Sequence, residues 1–392
     1  MIETKFKDTE LGPIPKDWEV GHFEDFLINF SAGATPYRGL PSNFIGSIPW
    51  ISSGELDYNE ITDTKEYISL EAQKKTHLTL HKPGTFLMAI TGLEAEGTRG
   101  RCAFVKTPAT TNQSCLAINS SDLMTVKYLY WFYRLWSDYL AFNFSQGSKQ
   151  QSFTAEIVKK LPIYAPTKKE QEIIAEVLMD TDALIKELDV LIEKKRALLQ
   201  GTMQELLTAR RRLPGFSGPW FAKSLNDILS YEQPTSYLVS NTEYVENGIP
   251  VLTAGKTFIL GYTSERQNVY DDIPVIIFDD FTTDSKWVDF PFKAKSSAMK
   301  MLKLKSSEHD FKFIFYLMQI IPFEAAEHKR HWITEYSKIE LYVPPKKEQE
   351  AIASILFDMD SEISELEAKR DKYISIRQGM MQQLLTGKIR LI

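Results

Sequence analysis

The sequence predicts an α+β protein in which two globular domains are joined by two long helices, pairing as an intramolecular antiparallel coiled coil with pseudo-twofold symmetry. Three observations predict it: a stretch in the middle of the chain recurs at its end, each copy carries heptad-spaced apolar residues, and each copy follows a segment of mixed strand and helix character. At 392 residues the chain exceeds one ordinary core, and its 43% apolar and 25% charged residues match soluble globular proteins.

Residues 1–160 form the first mixed domain. Short β-rich runs at 83–90 and 101–106 are separated by glycine-containing turns, and Val126–Tyr133 reads as an aromatic-rich helix. The aromatics follow helical spacing among other apolar residues, so they are expected in the core rather than stacked on a ligand. Residues 161–213 form the first helical region, opening after Pro166-Thr167. Leu178, Ile185, Ile192, Leu199 and Leu206 recur every seven residues, alternating with Ile174, Thr181, Leu188, Lys195 and Thr202. A second apolar row, Val177, Leu184, Leu191 and Leu198, widens the face and leaves room for a third surface.

Residues 214–338 form the second mixed domain, with a β-rich run at 274–278 and a helix at 311–320. Residues 339–392 repeat the helical region after Pro344-Pro345: Pro166 to Leu213 matches Pro344 to Leu391 without a gap, Lys168 pairing with Lys346. Lys168-Lys169-Glu170-Gln171-Glu172 returns as Lys346-Lys347-Glu348-Gln349-Glu350. The second seam runs Ile352, Leu356, Met359, Ile363, Leu366, Arg370, Tyr373, Arg377, Met380 and Leu384, apolar at its ends and charged towards its middle. Some forty residues at about 1.5 Å each make a rod on the order of 60 Å long. Because the second domain starts where the first helix ends, the returning helix is expected to lie antiparallel, with one domain at each end. Ala209 stands where the second copy has Gly387, which predicts a less sharply defined end for the first helix. Arg210, Arg211 and Arg212 suit the negative end of that helix.

The net charge of −6 opposes phosphate binding overall. Three stretches nevertheless lack carboxylates and are expected to form basic faces: 97–121 with Arg99, Arg101 and Lys106, 139–155 with Lys149, and 290–307 with Lys293, Lys295, Lys300, Lys303 and Lys305. Short polar residues on glycine-rich loops are the type that hydrogen-bond base edges. In the first domain these are Thr35 and Arg38, Ser53, Arg99 and Arg101, Asn112, Gln113 and Ser114, and Lys149 with Gln150. In the second they are Thr253 and Lys256, Lys286, Lys293 and Lys295, and Lys329 with Arg330.

Cys102 and Cys115 lack metal-binding or disulfide spacing and are expected as buried thiols; no metal site is expected. No run approaches the roughly 20 apolar residues a bilayer span needs, and the N-terminus has no signal-peptide pattern, so the chain is expected in the cytoplasm. Gly255-Lys256-Thr257 lacks the earlier glycine of a phosphate-binding loop, and no dinucleotide-binding turn is present. The Asn/Asp-Pro-Pro-aromatic tetrad of adenine methyltransferases is also missing. Asp279, Asp280 and Asp284 fall too close together for a nuclease cluster spread over two strands, and His328 and His331 read as surface or phosphate-contacting groups. No catalytic residue is expected.

Each helix is entered through Pro-x-Lys-Lys-Glu-Gln-Glu and left through Gln-x-Leu-Leu-Thr, a layout that resembles the specificity subunits of type I restriction-modification enzymes across the whole chain. Gly12-Pro13-Ile14-Pro15-Lys16-Asp17-Trp18 is similar to the family's opening, Ala34-Thr35-Pro36 to its first-domain loop, and Leu384-Leu385-Thr386-Gly387-Lys388-Ile389-Arg390-Leu391 to its terminal signature. The resemblance implies that each mixed domain is a target-recognition domain reading one half of a bipartite, asymmetric double-stranded DNA sequence, and that the helices set the unread gap. It also implies that the helices dock two modification subunits that use S-adenosylmethionine. A restriction subunit would use ATP and Mg2+, and this chain itself would carry no cofactor and no catalysis. Two other readings are a fused restriction enzyme, opposed by the missing motifs, and a coiled-coil scaffold that binds proteins but never DNA.

Overall fold

The computed structural model describes residues 5–95, 97–253, 257–323 and 331–391. By its contacts the chain divides into two units: Met1–Glu187 with Arg370–Ile392, and Leu188–Lys369. Each of the two long helices, Lys168–Leu206 and Lys346–Leu384, therefore contributes one part to each unit. Among the described residues no helix is long and apolar enough to cross a membrane.

The first unit is built on a five-stranded sheet ordered Ile28–Ala32, Cys115–Asn119, Phe86–Ala89, Cys102–Val105, Asn59–Ile61, antiparallel except for the last pair. Side chains alternate across a strand, and both faces here are covered. Phe86 and Met88 enter the core under the aromatic helix Val126–Phe144, whereas Leu87 and Ala89 enter a second core with Ile51, Leu56 and Val105. That helix runs well beyond the expected Tyr133, because Leu140 and Ala141 continue its buried stripe. Tyr128, Trp131, Phe132 and Tyr133 are all buried in the core, and so are Cys102 and Cys115. A ribbon of Glu19–His22 and Pro162–Ala165 leads directly into the first long helix.

The second unit repeats this plan on a smaller scale. Its four-stranded antiparallel sheet is ordered Leu229–Glu232, Met299–Leu304, Val275–Asp279, Ser285–Val288. Ile276 and Phe278 face the helix Phe311–Gln319, and Val275 and Ile277 face the opposite core. The ribbon of Phe221–Ser224 and Glu340–Val343 feeds the second long helix.

Within each unit the two long helices run antiparallel, since partner numbers fall on one as they rise on the other. In the first unit Glu170 meets Arg390, Thr181 meets Met380 and Asp182 meets Arg377. In the second Lys195 meets Glu362, Arg196 meets Glu367 and Arg212 meets Glu348. Leu178, Ile185, Leu188, Ile192, Leu206, Leu356, Ile363 and Leu384 are buried as the heptad predicts, and Leu199 is half-buried. Outside the seam, Val177 and Leu184 are half-buried, whereas Leu191 is 37% and Leu198 56% exposed.

The repeated motif has one structural job per residue. Glu170, 1% exposed, receives a two-pronged bond from Arg390 at 2.6 and 2.7 Å, and Glu348 receives the same from Arg212 at 2.6 and 2.8 Å. Each arginine also lies 5.6 Å from an indole, Trp18 or Trp220. Gln171 accepts the Thr125 N–H that opens the aromatic helix, and Gln349 accepts the Asp310 N–H that opens its counterpart. Lys168 and Lys346 donate to the Ser121 and Ser307 carbonyls at 3.2 and 2.7 Å.

The expectation of a less defined end at Ala209 is corrected. Ala209 takes the left-handed conformation at φ 58°, as Gly387 does at 67°, and the N–H two residues later reaches back over the last turn in both copies, Arg211 to Glu205 at 3.0 Å and Ile389 to Gln383 at 3.1 Å.

Candidate nucleic-acid interface

In the first unit, five polar loops are tied to one another by backbone hydrogen bonds. Gly33 N–H donates to the Cys115 carbonyl, Ala34 N–H to Thr111 and Asn112 N–H to Ile51, joining the loops after three strands. Ile90 N–H donates to Ser114, Phe153 N–H to Ile90 and Leu93 N–H to Gln151, which adds the loops at 91–101 and 146–152. A Cβ at Gly33 would lie 2.0 Å from the Thr111 carbonyl oxygen, so only glycine permits the chain to pass this close to Thr111 and Asn112. Thr35 donates its hydroxyl to Gln113, and Asn112 turns its side-chain oxygen back to the Ser114 N–H at 3.0 Å. Thr35, Ser53, Asn112, Gln113, Ser114, Lys149 and Gln150 are thereby gathered on connected loops, with Gln113, Lys149 and Gln150 exposed.

The arginines are engaged inside the unit. Arg38 forks onto Glu66 with two bonds of 2.8 Å, and that bond holds the Glu66 carboxyl below its ordinary range. Arg99 donates to the Leu93 carbonyl at 2.8 Å and stands 3.5 Å from Asp138, while Arg101 donates to the Gly97 carbonyl at 2.7 Å. Lys106 pairs with Glu60 at 2.9 Å.

In the second unit, Lys295 N–H donates to Leu252, Thr253 N–H to Phe258, Asp280 N–H to Ala298 and His331 N–H to Asp280, which sets the loops around Thr253, Asp280, Lys295 and His331 in contact by pairs. Lys286 and Lys295 are exposed, and the Lys286 ammonium lies 5.2 Å from the Phe258 ring. Lys256, Lys329, Arg330 and His328 lie outside the described residues.

Two expectations are corrected here. Lys293 is 2% exposed and pairs with the half-buried Glu265 at 2.8 Å, so its ammonium is held inside the unit rather than presented as a DNA contact. His331 is fully buried instead of lying at the surface. The expected basic face at 290–307 is reduced for the same reason: acids from outside the stretch reach in, Asp280 to Lys300 at 3.2 Å and Asp272 to Lys303 at 2.8 Å. Asp279 caps a turn by accepting the Phe281 and Thr282 N–H groups, and Asp280 accepts the Trp332 N–H. Among the described residues no group of three or more His, Cys, Asp or Glu side chains is placed to hold a metal ion.

The residues that sequence reasoning missed are the clamps Glu170–Arg390 and Glu348–Arg212 and the caps Gln171 and Gln349. Their signal was present, since Glu170 and Glu348, Arg212 and Arg390, and Gln171 and Gln349 fall at equivalent positions when the two copies are aligned.

The sequence model for the type I restriction modification DNA specificity domain matches residues 15–194 and again 218–375. The chain is 41% identical over 211 residues to the type I restriction enzyme EcoR124I/EcoR124II specificity subunit of Escherichia coli, covering 48% of this chain and 52% of that protein. It is 33% identical over 189 residues to the MjaIX specificity subunit of Methanocaldococcus jannaschii, covering 47% and 42%. The chain thus spans about half the length of these relatives. In fold it is similar to the crystal structure of the type I restriction-modification S subunit from M. genitalium, with a TM-score of 0.66 and 16% identity over 94% of this chain and 96% of that one. With both mixed segments and most of both helices inside the matched residues, the chain belongs to the type I restriction-modification DNA specificity family.

Proposed function

We propose that this chain is the noncatalytic DNA-reading subunit of a type I restriction-modification complex, each loop face reading one half of a bipartite target. The observation that carries this is the pairing of a repeated frame with unlike loops. The motif residues Lys168, Glu170 and Gln171 and their copies Lys346, Glu348 and Gln349 make the same contacts, whereas the loops they support differ in length and composition. Such a frame holds two different reading surfaces without coupling their sequences. Direct readout needs polar side chains on positioned loops, and Gln113, Lys149, Gln150, Lys286 and Lys295 meet that need.

The long helices act as the spacer between half-sites. The exposed Leu191 and Leu198 fit docking of modification subunits, which would bring S-adenosylmethionine and much of the phosphate contact. A restriction subunit would add ATP- and Mg2+-dependent cleavage, and the complex would work in the cytoplasm.

The test is to co-express the chain with type I modification subunits and map methylated adenines. Wild-type complex should mark a bipartite sequence. Seven residues inserted in each long helix keep the heptad register and add about 10 Å of rise, so the gap should grow by about three base pairs with both half-sequences unchanged. Exchange of Gly21–Lys160 for another such domain should alter one half-sequence only. No sequence-dependent methylation or footprint would instead favour a protein-binding scaffold.

A further inference from the structure

The loop at 33–46 of the first unit carries an apolar tip that the polar readout described above does not use. Tyr37 is 77% exposed, and Leu40 and Ile45 on the same loop are 46% and 74% exposed. Large exposed side chains on a loop are usually mobile, but the backbone that carries this one is braced. The Tyr37 carbonyl accepts from the Asn43 side-chain amide at 2.9 Å and from the Leu40 N–H at 3.3 Å, and Asn43 is itself buried and accepts the Ser69 N–H. Arg38 is locked by its fork onto Glu66 and lies 4.7 Å from the Phe44 ring and 5.3 Å from Trp50. Trp50 in turn donates its indole N–H to the Ala34 carbonyl at 3.0 Å. The Tyr37 ring lies across Gly39, where any Cβ would come within 2.5 Å of it.

Arg38 therefore acts as a strut. The group the loop holds out is its neighbour, an aromatic ring on a braced backbone, two residues from the Thr35–Gln113 pair. Fixing the backbone that carries a large ring before binding lowers the ordering cost of using it as a contact, since only its two side-chain torsions remain to be ordered. Apolar wedges of this kind act on DNA by entering a base step and partly unstacking it, and pyrimidine–purine steps yield most easily.

We propose that Tyr37 is a specificity-determining wedge, set by Arg38 and Gly39, that enters a pyrimidine–purine step in the half-site read by the first unit. This rests on the DNA-reading function proposed above. It adds a preference read through deformability to the hydrogen-bond readout of Gln113 and its neighbours.

The experiment uses the full chain assembled with modification subunits and a duplex carrying the target mapped by adenine methylation, with 2-aminopurine placed in turn at the purines of both half-sites. Wild-type complex should brighten the probe at one step. Tyr37→Ala should abolish that signal and weaken binding roughly 10- to 100-fold, the range expected for one lost aromatic–base contact. Tyr37→Phe should keep both, because the ring and not the hydroxyl does the work. Tyr37 is too exposed for these changes to threaten folding, and thermal melting of each variant checks this. Unchanged affinity and emission in Tyr37→Ala would overturn the proposal. So would loss of subunit assembly in that variant, which would make the ring a protein contact. If wild-type complex failed to bind the mapped duplex at all, the DNA-reading function itself would fall, an outcome distinct from the other two.

Discussion

The two helix ends make opposite predictions for the same exchange of alanine and glycine. Ala209 and Gly387 occupy equivalent places and share the left-handed conformation, at φ 58° and 67°. A residue with a Cβ is disfavoured there by about 1–2 kcal/mol, while glycine gives back about 0.4–1 kcal/mol through its freer unfolded chain. Ala209→Gly should therefore stabilise the second unit by roughly 0.5–1 kcal/mol. Gly387→Ala meets the same strain plus a collision, because the new Cβ would lie 2.3 Å from Cγ and 2.5 Å from Cδ of Pro15, and 3.0 Å from the Trp18 ring. Overpacking of this kind costs about 1–3 kcal/mol, which with the same net strain makes roughly 1.5–4 kcal/mol.

For a unit of this size each kcal/mol moves the melting temperature by about 2–4 °C. Scanning calorimetry should thus show Gly387→Ala lowered by roughly 3–15 °C and Ala209→Gly raised by roughly 1–4 °C. The collision is separable from the strain. Ser217 stands three residues before Trp220, as Pro15 stands three before Trp18, so Pro15→Ser combined with Gly387→Ala should recover the steric share as a coupling of about 1 kcal/mol or more. A Gly387→Ala protein that melts with wild type, or a double mutant that shows no coupling, would refute the reasoning.

Truncating either clamp, Arg390→Ala or Arg212→Ala, leaves Glu170 or Glu348 buried at 1% exposure without its partner and should cost about 3–5 kcal/mol in urea unfolding. Lysine at either place should recover little, since it cannot form the fork. Asp182 and Asp360, equivalent in the repeat, should have opposite pH signatures. Burial raises Asp182, but Arg134, Lys186 and Arg377 outweigh it and hold its carboxyl below the ordinary value, so its contribution is present above the unfolded pKa and lost as pH falls through the folded one; Asp182→Asn should destabilise at neutral pH and matter little in acid. Burial raises Asp360, partly offset by the Tyr316 hydroxyl, so ionising it opposes folding and the penalty disappears as pH falls through its raised pKa; Asp360→Asn should stabilise at neutral pH and converge on wild type in acid, read from unfolding midpoints across pH. Lys293→Ala should lower stability without changing the salt dependence of DNA binding, whereas Lys295→Ala should leave stability alone and reduce the salt slope by about one.

The frame was legible in the sequence because its signals are periodic or repeated. Leu178, Ile185, Ile192, Leu356 and Ile363 announce a buried seam by spacing alone, and the charged middle of that seam finds partners across it, as Lys195 does in Glu362. The loop faces were legible only as sets of polar residues. Which of their cations remain available is decided by partners distant in sequence: Glu66 takes Arg38, Glu265 takes Lys293 and Asp280 takes Lys300. A stretch free of carboxylates therefore does not specify a basic face, since its neutralising acids arrive through sheet pairing. The bracing of the loop that carries Tyr37 was hidden for the same reason, because Glu66 and Trp50 reach its Arg38 and Ala34 from outside the loop.

The frame is repeated, but it is not indifferent to the head it carries. In the first unit the helix Val126–Phe144 sends Arg134 to Asp182 at 3.4 Å, where Lys186 and Arg377 also converge. In the second unit the shorter helix Phe311–Gln319 offers Asp360 the Tyr316 hydroxyl, at 3.5 Å, and among the described residues no cation is recorded on that carboxylate. A new domain grafted in place of Gly21–Lys160 must therefore supply a cation where Arg134 stands, or leave Asp182 to Lys186 and Arg377 alone. It must also offer Gln171 a free N–H at the opening of its helix and present a carbonyl to Lys168, the contacts now made by Thr125 and Ser121. The polar residues of the candidate interface, Thr35, Gln113, Lys149 and Gln150 among them, enter none of these requirements. If the loops are the reading surfaces proposed above, their exchange is constrained where the first domain meets the long helices and not at the interface loops, which is the separation a protein needs if one half of its target is to change while the other half stays fixed.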